Sequence, residues 1–216
     1  MRLLPFALIL GTAAGAAWAD DQYRHGRVRD LEGGVVLQRA SEGTAEEAIP
    51  NLPFLPGDRV WTDGGGRVEF QFEDGTVLRL DSRSKLDYLA HDDRVVLRLW
   101  SGSAWLVTYD GGDGFEIETP TALVVPRERG TYRIDADGEE SRLSVFDGEA
   151  SLESGRRSVD VRAGERSWAV RGEWPEEPRR FDRRAADEFQ TWNEERDDRS
   201  AWAGSVPSYV PDEVRP

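Results

Sequence analysis

Arg67-Val68-Glu69-Phe70-Gln71-Phe72-Glu73-Asp74-Gly75-Thr76-Val77-Leu78-Arg79-Leu80 is the stretch whose reading decides the fold. Val68, Phe70 and Phe72 alternate with polar or charged neighbours, the period of a strand with one buried face. Asp74-Gly75 supplies the positive-φ turn of a tight hairpin, and Leu78 and Leu80 resume the alternation on its second arm. The same grammar returns in Phe115-Glu116-Ile117-Glu118-Thr119. It returns again in Arg142 to Phe146, where Asp147-Gly148 leads into Ala150-Ser151-Leu152. Such half-buried strands carry no chemistry of their own.

Outward from this hairpin, turn signals recur every few residues between Asp58 and Val170, and about ten short strands are expected there. They include Val95 to Trp100, Ala104 to Tyr109, Tyr132-Arg133-Ile134 and Val159-Asp160-Val161. A first strand pair lies in Tyr23 to Arg39, about the turn Glu32-Gly33-Gly34. Pro50, Pro53 and Pro56 then punctuate an extended crossing segment, because proline cannot donate to a ladder. Gly57-Asp58-Arg59-Val60-Trp61 is echoed by Gly164-Glu165-Arg166-Ser167-Trp168, a spacing that suits stacked solenoid turns, although ordinary hairpins reuse the same turn residues. The fold class expected is all-β: a short-stranded antiparallel β roll, sandwich or solenoid-like domain with one docked C-terminal α-helix.

The helix follows Pro175 and Pro178, where alternation stops. Ala185, Phe189, Trp192 and Arg196 fall on one stripe of a helix expected over 181–201, with Asp182 as N-cap and Glu195 paired with Arg199. An isolated helix of this length is marginal in water. Its Phe189 and Trp192 are therefore expected to be buried, on the chain's own β domain or in a groove of a partner, and they are the candidate partner-contact residues. The layout is residues 1–19 as signal peptide, 20–57 as N-terminal strands and crossing segment, 58–172 as β domain, 173–180 as linker and 202–216 as irregular tail.

Composition narrows the function. The 216 residues contain no cysteine, which excludes a disulfide framework, a thiolate metal site and a cysteine nucleophile. With 28 Lys+Arg against 42 Asp+Glu the net charge is −14, unsuited to the phosphate backbone of nucleic acid. Met1-Arg2, an apolar centre from Leu3 to Ala17 and the small-x-small site Ala17-Trp18-Ala19 read as a cleavable secretory signal with no retained span. The mature chain is expected to be periplasmic or secreted, with Asp20 at its N-terminus. Mass spectrometry of the native protein checks this, and an intact Met1 on a membrane-bound product would contradict it.

No catalytic, cofactor or metal site is expected. His25 and His91 lack sequence partners for acid–base or metal work and read as solvated. No Gly-x-Ser-x-Gly elbow is present, and Gly102-Ser103-Ala104 reads as the turn before a strand. Asp110-Gly111-Gly112-Asp113-Gly114 reads as a long hairpin turn, since the ligand ladder of a calcium loop is missing. Trp61, Trp100, Trp105 and Trp168 lie in or beside strands, where filling a core is the expected role and a sugar-stacking platform the alternative. Gly130 reads as a backbone necessity.

Four stretches in order resemble the FecR domain: Pro53 to Thr62, Gly66 to Phe70, Asp74 to Leu80 and Leu143 to Ala150. The resemblance spans roughly residues 58–152. Thr119-Pro120-Thr121-Ala122, Arg129 to Asp135, Trp192-Asn193-Glu194-Glu195-Arg196-Asp197 and Tyr209 to Glu213 resemble an uncharacterised exported subgroup in which a Trp-Asn-x-Glu-Arg-Asp helix follows the β domain. The best-known family members are membrane-anchored regulators that carry an outer-membrane signal to a sigma or anti-sigma segment. A cleavable signal departs from that plan, so the resemblance implies only the periplasmic part. The function expected is a non-catalytic exported interaction or signalling-accessory module whose partner is an envelope protein or polysaccharide. The alternatives are an envelope carbohydrate-binding module using exposed tryptophans and an unrecognised hydrolase.

Overall fold

The computed structural model describes residues 25–40, 43–91, 94–109, 111 and 114–205. The expected signal peptide, Tyr23, Asp110, Asp113, the side chains of His91 and Arg199, and the end of the tail lie outside the described residues. The strands are β1 (Gly26–Glu32), β2 (Val35–Gln38), β3 (Ala45–Glu47), β4 (Pro53–Phe54), β5 (Arg59–Thr62), β6 (Arg67–Phe72), β7 (Val77–Leu80), β8 (Lys85–His91) and β9 (Arg94–Thr108). There follow β10 (Phe115–Glu118), β11 (Leu123–Pro126), β12 (Gly130–Ala136), β13 (Glu140–Asp147), β14 (Glu149–Ser154), β15 (Arg157–Arg162), β16 (Glu165–Val170) and β17 (Arg179–Arg180), then one helix, α1 (Glu188–Ser205).

Pairing arranges these strands in two sheets that share β9. The front sheet runs β4-β1-β6-β7-β9-β12-β13-β16-β17. The back sheet runs β3-β2-β5-β8-β9-β10-β11-β14-β15. Apart from the outermost pair at one end, strand order follows chain order in both. The chain thus rolls progressively from one end of a sandwich to the other, which joins the expected roll and sandwich in one architecture.

The shared strand explains how. Residues 94–101 of β9 pair with β8 and β10, whereas residues 102–108 pair with β7 and β12. The chain passes between sheets at Gly102, whose φ is +95° and where a Cβ would lie 2.2 Å from Ser84 Oγ. Gly102-Ser103-Ala104 is therefore a bend inside one continuous strand, not a turn before one. After Thr108 the chain returns to the back sheet, where β10 lies parallel to the start of β9. β9 and β10 are therefore parallel neighbours that form no hairpin with each other, and they make the sheet mixed; the turn expected at 110–114 falls largely outside the described residues.

Two further expectations change in the same way. Asp74-Gly75 does close the β6–β7 hairpin, but Asp147-Gly148 is a corner carrying the chain from β13 in the front sheet to β14 in the back sheet. At that corner a Cβ on Gly130 would sit 2.3 Å from the Asp147 carbonyl oxygen, which is the backbone necessity expected of it. The Tyr132 hydroxyl ties the corner together by sharing its proton between the carbonyls of Glu128 (2.7 Å) and Glu149 (3.1 Å). Burial pushes its pKa up to about 12. The echoed Arg59 and Arg166 segments lie in different sheets, so the echo marks no structural repeat.

Val68, Phe70, Leu78, Leu80, Leu106, Ile134 and Val145 from the front sheet meet Leu86, Leu97, Ile117, Val124, Leu152 and Val161 from the back. Phe70 stacks on Phe54 with centroids 4.3 Å apart, and Phe72 meets Phe115 edge-on across the sandwich at 5.1 Å. Among the described residues this core holds no tryptophan. Trp61, Trp100 and Trp168 sit on outer faces with part of their surface exposed, contrary to the core-filling expectation, whereas Trp105, outside the inter-sheet core, is buried beneath α1. The alternation of their strands leaves them no other place: Val60, Leu99, Leu106 and Ala169 take the inward positions.

Candidate functional site: the helix seat

The outer face of the front sheet is where the sequence concentrates side chains that neither solvent nor core requires. One register row crosses it: Asp30, Glu69, Arg79, Trp105, Arg133, Ser144, Arg166 and Arg179 are successive cross-strand neighbours. Four arginines in a single row form a basic stripe on an acidic protein. The stripe is covered over its first half by α1.

The helix begins later than residue 181. Asp187, not Asp182, is the N-cap, its Oδ1 accepting the Gln190 amide at 2.9 Å, while Asp182 closes a separate turn through the Arg184 amide. Ala185 accordingly precedes the helix, and the stripe that faces the sheet is Phe189, Trp192, Asn193 and Arg196 with Gln190 at its edge. Phe189 is buried, meeting Trp105 edge-on at 6.4 Å and lying 6.1 Å from Trp192. Trp105 in turn packs on Phe146 at 4.6 Å, and Phe146 on Phe181 at 5.2 Å. The structure thus brings Phe189 and Trp192 together on the chain's own sheet.

Polar contacts outnumber these apolar ones. Arg79, 1% exposed, donates from Nε to Glu69 at 2.6 Å and from Nη1 to Asp197 at 2.7 Å and Asn193 Oδ1 at 3.2 Å. Arg133 spans Asp135 at 2.9 Å and Asp187 at 2.8 Å. Arg67 spans Asp81 at 2.9 Å and Glu188 at 3.2 Å. In the reverse sense, Arg196 of the helix reaches Asp30 at 2.6 Å and Glu32 at 2.8 Å, and the Trp192 indole donates to Glu32 at 3.1 Å. Between the helix and the sheet, Trp105 Nε1 and Arg196 Nε are buried and have no hydrogen-bond partner among the described residues.

The paired groups titrate accordingly. Burial lowers the affinity of Arg133 for its proton, but Asp135 and Asp187 outweigh it and raise its pKa. For Asp187 burial works to raise the pKa, and the Gln190 amide and Arg133 overcome it, holding the carboxyl below the usual range. A carboxyl depressed by folding stabilises the fold above its unfolded value of about 3.9, and that contribution disappears as pH falls through the folded value. Acidification below about pH 4 should therefore loosen the N-terminal turn of α1. Asp187→Asn, which keeps an acceptor for the cap but loses the charge, should flatten the acid limb of a helix-monitored titration. An unchanged limb would mean that other carboxyls control it.

The other candidates are dispersed. His25 lies at a cleft of about 380 Å³ with Gln71, Phe72 and Glu73, and its Nδ1 is 3.9 Å from an exposed Glu73 carboxylate. Among the described residues no group of three or more His, Cys, Asp or Glu is arranged to hold a metal.

Residues 58–151, from β5 into β14, match the family model for FecR protein. This is the middle of the roll, the part in which the two sheets exchange strands through β9. The matched segment is flanked by β1–β4 on one side and by β15 to α1 on the other. Two crystal structures of a protein described as an anti-sigma factor, from Parabacteroides distasonis ATCC 8503, are similar in fold. They have 16% and 17% identity and a TM-score of 0.52 in each case. The alignments cover 62% of this chain and 64% and 63% of the other, so the chain spans less than two thirds of the length of either. No curated protein matches the sequence.

Proposed function

We propose that the protein is an exported, non-catalytic signalling-accessory module that works by contact with another envelope protein, its helix seat being the contact that changes. The observation that carries this reading is the manner in which α1 is held. Its seat is a set of ion pairs and hydrogen bonds on an arginine stripe, added to the packing of Phe189 on Trp105, instead of a closed apolar interface. Interfaces of that polarity resemble transient contacts between proteins more than they resemble a core.

The FecR match and the likeness in fold to proteins described as anti-sigma factors support the signalling side of the proposal. The basic N-terminus and Ala17-Trp18-Ala19 support export with cleavage into the periplasm or beyond. Among the described residues no helix is long and apolar enough to cross a membrane. On release of α1, Phe189 and Trp192 become the contacts offered to a partner, and the stripe about Trp105 becomes the groove that they leave.

Site-specific photocrosslinking in the native envelope tests this. A photoreactive residue in place of Trp192 should give two products: an internal adduct to the neighbourhood of Glu32 and Arg67, and a defined adduct with one envelope protein. Internal adducts alone, with activating stress or without, would contradict the proposal.

A further inference from the structure

Among the described residues no helix lies over the back sheet, and its outer face carries a second constellation. Val36, Trp61 and Lys85 are cross-strand neighbours in one row, and Lys85 pairs next with Ser101. Between that pair and the next, Leu86 with Leu99, the register shifts, and the extra residue is Trp100. A bulge of this kind re-aims a side chain, and here it throws an indole outward beside Trp61. Trp100 is 39% exposed and Val36 38%, both among the few large apolar residues left in solvent.

The platform is fixed in place. The Trp100 indole donates to Asp87 Oδ2 at 2.9 Å, and the Asp87 carboxylate is gripped by both Nε and Nη2 of Arg59, at 2.5 and 2.7 Å. The carboxyl pKa is lowered: burial would raise it, but the bonds from Arg59 and Trp100 prevail. Arg98, which lies 5.4 Å from the Trp100 ring, is occupied by Glu118. Lys85 differs. Its ammonium lies 6.0 Å from the Trp61 ring and 5.7 Å from the Trp100 ring, and among the described residues it forms no salt bridge. Its charge helps to hold the Asp87 pKa down, yet it forms no direct ion pair among the described residues, so a cation set between two indoles has its hydrogen-bonding capacity open to a ligand.

We infer that Trp61, Trp100 and Lys85 form a binding site for an acidic saccharide on the outer face of the back sheet. Indole faces stack on the C–H faces of pyranose rings, and the tether to Asp87 spares the entropy of ordering one of them on binding. The ring centroids lie no further apart than the sum of their distances to Lys85, within reach of neighbouring sugars in one short chain. Lys85 supplies a charge-assisted hydrogen bond to a ring carboxylate, which selects uronic over neutral sugars. This site is independent of the helix seat, and neither outcome below bears on the proposal made for α1.

The test uses the mature chain, a hexamer of α-1,4-linked galacturonate, the same hexamer fully methyl-esterified, and hexaglutamate, with tryptophan fluorescence and calorimetry as readouts. The acidic hexamer should bind saturably and about tenfold more tightly than its ester. Trp100→Ala and Trp61→Ala should each weaken it about tenfold. Lys85→Gln should bring acid and ester to equal affinity without changing the melting temperature. No saturation by about 10 mM would overturn the inference. So would equal binding of acid and ester by the unaltered chain, indifference to both tryptophan variants, or hexaglutamate binding as tightly as the sugar.

Discussion

Arg79→Met is expected to destabilise the protein by about 3–5 kcal/mol, because it leaves the Glu69 carboxylate buried with its principal partner removed. Glu69 is 3% exposed and otherwise meets Arg29 at 3.2 Å, from a guanidinium that is itself 39% exposed. The same substitution removes a bond to each of Asp197 and Asn193, so α1 should loosen as well. Adding Glu69→Gln to Arg79→Met should recover much of the loss, since a buried ion pair contributes far less net stability than breaking it costs. Urea unfolding of the two single variants and the double closes the cycle. A loss under about 1 kcal/mol for Arg79→Met would show that the pair is solvated and the helix not seated upon it.

Phe70→Ala should cost a similar amount, about 3–5 kcal/mol, for a different reason. Phe70 is fully buried, stacked on Phe54, and lies at the centre of the inter-sheet core, where a void cannot collapse without moving both sheets. Gln71 points the other way and bonds Arg27 at 3.0 Å on the surface, so Gln71→Ala should change stability by no more than about 0.5 kcal/mol. Equal losses from the two would contradict the register of β6.

That register was readable because alternation is a local property: Val68, Phe70 and Phe72 name the inner face of β6 whatever the strand pairs with. Which strand pairs with which is not local. Gly102 looks like a turn glycine, and only the partners on either side reveal a strand that changes sheets. Likewise Asp74-Gly75 and Asp147-Gly148 are the same dipeptide, one closing a hairpin and the other turning a corner, and nothing within the dipeptide separates the two. Lying in or beside a strand does not by itself place a tryptophan in the core. The parity of the strand is the better guide, and it puts Trp61, Trp105 and Trp168 opposite Val60, Leu106 and Ala169.

The helix seat was half legible. The aromatic stripe of Phe189 and Trp192 follows from helical spacing, but the buried Asn193, Gln190 and Glu69 carry no hydrophobic signal. Their place follows from Arg79, and Arg79 reads from sequence as an ordinary solvated strand residue. Resemblance did point at Trp192, Asn193, Arg196 and Asp197 together, and the structure supplies the physical reason: these four reach the sheet through Glu32, Arg79, Asp30 and Arg79 again. The cap was misread because Asp182 and Asp187 are both aspartates ahead of a helical run. Gln190, three residues beyond Asp187, is the residue whose amide decides between them.

Hydrogen exchange on the intact protein at two salt concentrations tests the central claim, that α1 rests on an exchangeable ionic seat. Partly exposed pairs such as Arg67 with Glu188 and Arg133 with Asp187 are screened by salt, whereas the core between the sheets is not. Amides of α1 should open sub-globally, with protection well below that of β6, β7 and β9. Raising salt from about 0.05 M to about 0.5 M should speed their exchange severalfold while leaving the strands unchanged. Exchange of α1 only together with the strands, at a rate indifferent to salt, would show a helix that is permanent structure and would contradict the account.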